Sequence, residues 1–304
     1  MWIVFGLLFI ILINNKCWVF LEKLKQMIIA KIIDRIKNEF VYAKLAFFSK
    51  YKYGGKKSVK KIADAPEKDF CDLAVVTFNN SKVVDYQIRC INKYFKFPFR
   101  FTVFDNSTDC TIALEIENIC NRHGIVYIKL PKQSFMPKNM GSYSHGIACN
   151  YLFENYIRNG GAKYFGLLDH DIFPVEKFDV SEFLEKQFFY GVKHRFYIWP
   201  GLFFIKMDAV KNKKVDFRPS LHLHGDTGAC NGPLLFKNIK WDNYMLVGEE
   251  KRCFEGYDDI FEYGYSYFTC GWIHCWNASN YMGKKNIDIK MNMIYGMLDD
   301  KLRN

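Results

Sequence analysis

The chain has 304 residues, half of them hydrophobic and 18% aromatic, which suits one large domain or two small ones and excludes a disordered tail protein. Its formal net charge of +11 is unevenly held: residues 1–61 carry 13 Lys/Arg and 3 acids, the remaining 243 carry 30 and 29. The main body is therefore nearly neutral and has no basic footprint, so no nucleic-acid partner is expected. The first predicted element, MWIVFGLLFIILI, is an apolar run of 13 residues. As a helix it reaches about 20 Å against a hydrocarbon core of about 30 Å, and extending it to Leu21 gains the length to span at the cost of Asn14, Asn15 and Lys16. No basic region precedes it and no small-residue cleavage site follows, which argues against a cleaved signal peptide. Leu21, Leu24, Ile28, Ile32, Ile36, Phe40, Ala43 and Phe47 then recur at helical steps. Lys25, Arg35 and Glu39 fall on or near that stripe, so it suits packing on a globular domain as well as a membrane interface. The lysines between Lys50 and Lys61, broken by Gly54-Gly55, read as a flexible linker drawn to anionic lipid. Residues 1–61 are thus expected to be a membrane-associated segment and linker, and residues 62–304 a separate domain. The positive-inside bias puts that domain on the cytoplasmic side of a membrane surface. Ten cysteines without a Cys-x-x-Cys pair fit reduced thiols in a core, and so a reducing compartment.

From Cys71 onward short apolar runs alternate with amphipathic stretches. DLAVVTF (72–78), FRFTVFD (99–105), IVYIKL (125–130) and KYFGLLD (163–169) read as buried strands. Between them, Val84, Ile88, Ile91 and Phe95 mark one helix face, Ile112, Ile116 and Ile119 a second, and residues 146–158 a third. Strand–helix repetition at this spacing predicts an α/β domain with a parallel sheet flanked by helices.

Ligands of such sheets collect outside the carboxyl ends of the strands. Three predicted strands end in polar residues there: Thr77, Asn79 and Asn80; Asp105, Asn106, Ser107 and Asp109; Asp169, His170 and Asp171. Each cluster alone also suits a turn or a helix cap, and Ser107 to Asp109 is expected to cap the following helix. The last cluster, in YFGLLDHDIFP, places two carboxylates between apolar flanks, where buried charge is costly unless compensated. A surface turn or a site for a positive charge both satisfy that requirement.

VVTFNN, then VFDNSTD, then an apolar strand ending in Asp-x-Asp resembles the nucleotide-sugar-binding half of GT-A fold glycosyltransferases, especially the family 2-like group, over about residues 71–205. The resemblance implies a mixed, mainly parallel Rossmann-like sheet and a hexosyltransferase-type activity. It implies a nucleoside-diphosphate sugar as donor and a divalent cation, Mn2+ or Mg2+, as cofactor. By carry-over, Thr77, Asn79, Asp105 and Asn106 meet the base and ribose, Asp171 ligates the cation, and Asp169 makes a ribose or water-mediated contact. His170 is not expected to be a ligand. His145 and Gly146, in SHGIACN at the expected start of a helix, match a place near the ribose and phosphates, with an incidental helix-start histidine as the alternative. His274 matches a late histidine that supplies a third metal ligand in several such enzymes, with a core histidine as the alternative.

On the acceptor side, Trp199-Pro200-Gly201 marks a bend and a wall for a sugar ring. HLHGDTGACNG (222–232) places Asp226 among glycines that permit close backbone approach. An inverting transferase needs a carboxylate to take the acceptor's proton, and Asp226 is the first choice. The acidic pairs Glu249-Glu250 and Asp258-Asp259 are the family-like alternatives, and a capped glycine-rich turn is the structural one. The resulting expectation is a membrane-associated transferase acting on a glycan or lipid-linked acceptor in surface polysaccharide or glycoconjugate synthesis. Its rivals are a metal-dependent phosphodiesterase or hydrolase using Asp169, Asp171, His222, His224 and His274, and a non-catalytic sugar-binding protein on the same fold.

Overall fold

The computed structural model describes residues 22–33, 36, 40, 68–131, 141–220, 222–278 and 285–304. The chain divides into two units, Met1–Gly55 and Lys56–Asn304. In the first, residues 22–33 are helical, and Met27, Ile28, Ile29 and Ile32 are exposed. No helix among the described residues is long and apolar enough to cross a membrane. The opening apolar run and the lysine-rich linker lie outside the described residues.

The described residues of the second unit form ten strands: β1 (Lys68–Thr77), β2 (Phe99–Asp105), β3 (Val126–Lys129), β4 (Ala162–Asp169), β5 (Ile172–Pro174), β6 (Phe189–His194), β7 (Tyr197–Lys206), β8 (Glu249–Cys253), β9 (Gly264–Phe268) and β10 (Trp272–His274). Its longer helices are α1 (Ser81–Tyr94), α2 (Cys110–Arg122), α3 (Gly141–Leu152) and α4 (Ile287–Arg303). The larger sheet has the order β3-β2-β1-β4-β7-β6. Its first four strands are parallel, whereas β7 runs antiparallel to β4 and β6 antiparallel to β7. A second sheet, β5-β10-β9-β8, is antiparallel. The sheet is thus mixed and mainly parallel, with helices on both faces.

Side-chain alternation in β1 explains the layering, because successive strand residues point to opposite faces. Cys71, Leu73 and Val75 pack with Val84, Ile88 and Ile91 of α1, whereas Ala74 and Val76 pack with Ala148, Cys149 and Leu152 of α3. Both caps at the rim follow from sequence. Asn80 Oδ1 accepts the Val83 N–H at 3.1 Å, and Asp109 Oδ1 accepts those of Thr111 and Ile112 at 2.8 and 3.2 Å. Trp199-Pro200-Gly201 lies inside β7, and the pairing of β6 with β7 slips there from Gly191↔Phe203 to Lys193↔Ile198; the residues skipped include Pro200, which has no N–H to give a ladder. The nine described cysteines are all free.

One expected boundary is corrected. The third helix starts at Gly141 rather than near Gly146, so His145 and Gly146 lie past the first turn. The free amides of a helix start belong to its first four residues, and those of His145 and Gly146 are beyond them.

Candidate metal and nucleotide site

The strand ends expected to share a rim do so. Thr77 is level with Asp105 across β1 and β2, and Val76 with Asp169 across β1 and β4. Asp169 closes β4 and Asp171 immediately precedes β5, so the Asp-His-Asp triplet is the turn by which the chain leaves one sheet for the other. That explains the apolar flanks: each is a buried strand, and the two strands belong to different sheets.

Gln87 holds this turn. It is fully buried on α1, and its Nε2 donates to the carbonyl oxygens of Asp169 at 2.8 Å and Ile172 at 2.9 Å. From the other side, β10 pairs with β5, setting His274 opposite Ile172. His274 Nε2 then lies 3.4 Å from Asp171 Oδ1. The Cys275 N–H donates to the Asp171 carbonyl at 2.9 Å, and the Ala278 N–H to Asp171 Oδ2 at 3.3 Å. Asn80 Nδ2 in turn donates to the Ala278 carbonyl at 2.8 Å. Lys290, buried on α4, donates to the Trp276 carbonyl at 3.1 Å and steadies the same turn.

Asp169, Asp171 and His274 each offer one ligand atom, and the three atoms lie within 4.8 Å of one another. Among the described residues this cluster includes none of His170, His222 and His224. The carboxylates differ in electrostatics. Burial would raise Asp171, yet His274, His170 and the Ala278 N–H outweigh it and hold the carboxyl below its usual range. Burial raises Asp169, with the neighbouring Asp171 charge adding to it and the His145 imidazole opposing it. His145 Nε2 stands 3.5 Å from Asp169 Oδ1. Burial disfavours charge on His145, but Cys149 and Asp169 outweigh it and push its pKa up to about 10.

A cation fits this donor set. Two carboxylates and an imidazole suit Mn2+, and a hard oxygen pair also suits Mg2+. The buried Asp169 Oδ1 and His145 Nε2 make no hydrogen bond and face each other at 3.5 Å as an ion pair, and the buried Thr77 Oγ1 at the rim has no hydrogen-bond partner.

The other expected residues divide. Thr77 sits buried at the rim, and Asn106 reaches Ser144 of α3 at 3.3 Å. Asn79 and Asp105 are both engaged in hydrogen bonds within the protein. Asn79 Oδ1 accepts the Thr108 and Asp109 N–H groups at 3.0 and 3.2 Å, and its Nδ2 donates to Thr108 Oγ1. Asp105 is buried, with Oδ1 accepting the Ser107 N–H and Oδ2 accepting Tyr127 Oη and Lys129 Nζ at 2.8 and 2.7 Å. Gly146 faces protein: a Cβ there would stand 2.6 Å from the Phe217 carbonyl, so the close approach it permits is helix to backbone. Asp226 is exposed on its loop and lies within electrostatic reach of His145. Trp199 packs its ring 5.0 Å from that of His274. Gln87 and Lys290 escape sequence reasoning. The one signal for Gln87 is a polar residue on the face defined by Val83, Val84 and Ile91.

No protein-family model matches the chain, and no curated protein matches it. Among solved structures it is similar to the mannosyltransferase PcManGT from Pyrobaculum calidifontis, in complex with GDP-Man and Mn2+, at 10% identity and a TM-score of 0.35, over 57% of this chain and 54% of that one. It is similar to S. aureus TarS at 14% identity and a TM-score of 0.35, over 48% of this chain and 30% of that one. It is also similar to glucosyl-3-phosphoglycerate synthase from Mycobacterium tuberculosis at 12% identity and a TM-score of 0.32, over 47% and 58%. The chain thus covers between 30% and 58% of the length of these structures. The likeness is partial, and the geometry of the site itself carries the functional reading. In kind, the fold is a mixed, mainly parallel sheet with helices on both faces and a second, antiparallel sheet beside it.

Proposed function

We propose that the chain is a GT-A glycosyltransferase that moves a sugar from a nucleoside-diphosphate sugar to a glycan or lipid-linked acceptor. The observation that carries this reading is the meeting of Asp169, Asp171 and His274 on the rim where β1, β2 and β4 end. Asp171 and His274, with Asp169, would hold Mn2+ or Mg2+, and the bound cation supplies charge neutralisation to a diphosphate leaving group. The low pKa direction of Asp171 keeps it ionised and ready for a cation at any physiological pH. Thr77 and Asn106 would meet the nucleotide from the rim, and Asp169 its ribose. Asp226 takes the proton of the acceptor hydroxyl while that oxygen bonds to the anomeric carbon and the diphosphate departs with the electron pair, which inverts the centre. Trp199 offers a sugar ring an apolar face. The basic N-terminal segment supports attachment to a membrane surface with this domain facing the cytoplasm, and a role in polysaccharide or glycoconjugate assembly.

The hydrolase reading needs His222 and His224 beside the aspartates, and the described cluster contains neither. The test is release of nucleoside diphosphate from UDP-, GDP- and dTDP-sugars with Mn2+, scored with candidate acceptors. Turnover that survives Asp171→Asn unchanged, or no turnover and no Mn2+-dependent nucleotide binding with any donor, refutes the proposal.

A further inference from the structure

The turn from His274 to Ala278 meets Asp171 at both carboxylate oxygens: His274 Nε2 stands 3.4 Å from Oδ1, and the Ala278 N–H donates to Oδ2 at 3.3 Å. Trp276 is the middle residue of that turn. Whatever fixes Trp276 therefore bears on both contacts.

Trp276 is held at two points. Its carbonyl oxygen accepts from Lys290 Nζ at 3.1 Å. At its other end the indole Nε1 donates to Ser266 Oγ at 2.8 Å, and Ser266 Oγ donates to Glu249 Oε1. A hydroxyl carries one proton, so a Ser266 oxygen that accepts the indole N–H turns its own proton to the acceptor on Glu249. Ser266 is fully buried, and its hydroxyl would be left unsatisfied without that acceptor.

The sheet explains how a residue of β8 reaches the cluster. Residues directly opposite each other in an antiparallel pair share a face. Ser266 of β9 is opposite His274 of β10 on one side and Lys251 of β8 on the other. Glu249, two residues before Lys251, faces the same way. Glu249, Ser266 and His274 thus stand on one face of the second sheet, and Trp276 links them, its ring centre 6.5 Å from that of His274. The rings of Trp199 and Phe268, at 5.0 and 6.3 Å, border the same imidazole. His274 therefore sits in an aromatic frame, and the Trp276 side of that frame is tied to a carboxylate.

We propose that Glu249 is a positioning residue of the cation site: through Ser266 and Trp276 it fixes the turn that sets His274 and the Ala278 N–H against Asp171. The proposal rests on the reading of Asp169, Asp171 and His274 as cation ligands. It gives Glu249 a task other than taking the acceptor's proton.

The test is Mn2+ titrated into the full chain and followed by calorimetry, with the melting temperature of each variant taken alongside. Glu249→Ala should weaken Mn2+ binding about tenfold, and so should Trp276→Phe, which keeps an aromatic ring but has no N–H to donate. Glu249→Gln, whose side-chain oxygen still accepts the Ser266 proton, should bind Mn2+ like the parent. The double variant Glu249→Ala/Trp276→Phe should lose no more than the weaker of the two singles, because both cut one chain of hydrogen bonds. A general structural role would instead lower the melting temperature and give losses that add and that glutamine does not rescue. Unchanged affinity in Glu249→Ala, additive losses, or a glutamine variant as weak as the alanine one overturns the proposal. Turnover lost in Glu249→Ala with Mn2+ affinity intact marks Glu249 as the base, and overturns it too. A parent chain that binds no Mn2+ is a different failure: it refutes the cation reading itself, and the proposal falls with it.

Discussion

The side-chain nitrogen of Gln87 lies 2.8 Å from the carbonyl oxygen of Asp169, so a residue of α1 fixes the point at which β4 stops and the carboxylates begin. The same nitrogen reaches Ile172 at 2.9 Å. A strand would send Asp169 and Asp171 to the same face about 7 Å apart. The clamped turn draws them closer.

Gln87→Leu therefore leaves two buried carbonyls without a donor, at a cost of about 2–3 kcal/mol after allowing for removal of Gln87 Oε1, itself a buried acceptor without a partner. Urea denaturation should record that loss. Mn2+ affinity, read by calorimetry on the folded variant, should fall about tenfold or more, because supporting groups of this kind are worth 10–100-fold to a metal site.

Mn2+ should raise the melting temperature of the parent protein, and His274→Ala and Asp171→Asn should each abolish that rise. His170→Ala should keep it, since His170 stands outside the cluster. A cation response that disappears with His170 and persists without His274 would reverse the assignment.

Acid should reveal the anchor of the Asp226 loop. Asp216 accepts from Arg218 Nη2 at 2.6 Å and from Asn150 Nδ2 at 2.9 Å, and its backbone N–H donates to Asn231 at 2.7 Å, tying residues 216–218 to the loop's far end. Burial would raise Asp216, but the Arg218 bonds outweigh it and hold it below the usual carboxylate range. A carboxylate depressed in the folded state adds stability above its unfolded value of about 4, and that stability is lost as pH falls through the folded value. Asp216→Asn should cost about 2–3 kcal/mol at pH 7. The gap from the parent should shrink steadily in denaturation curves taken from pH 5 down to pH 3.

Gly146→Ala should destabilise the domain by about 1–3 kcal/mol, because its new methyl would press on the Phe217 carbonyl and the Arg218 backbone. Thermal melting checks the loss. A nucleotide-contact role alone would instead weaken donor binding and leave the melt untouched.

Much of the architecture was legible because apolar strands declare themselves: FRFTVFD is β2 to the residue, and KYFGLLD is β4 but for its first residue. The antiparallel direction of β7 and the whole second sheet were not, since direction depends on how connections pack and short strands such as WIH carry little pattern. At the site, the proximity of Asp171 and His274 agrees with the order in which the resemblance set them. The engagement of Asn79 and Asp105 within the protein was not legible, for a physical reason. The polarity that suits a ligand contact also suits a strand-end turn, and only the positions of Thr108, Tyr127 and Lys129 reveal that their side chains are engaged within the protein.

The placement of β10 between β5 and β9 has a temporal consequence. As the chain leaves the ribosome, Asp169 and Asp171 emerge more than a hundred residues before His274. Until the last third has been made and β10 has zipped into its slot, the two acids form an open fork with no imidazole to close it. On the proposed reading, full cation affinity would wait until synthesis has passed His274, and a truncated product ending before Trp272 would lack the imidazole of the cluster.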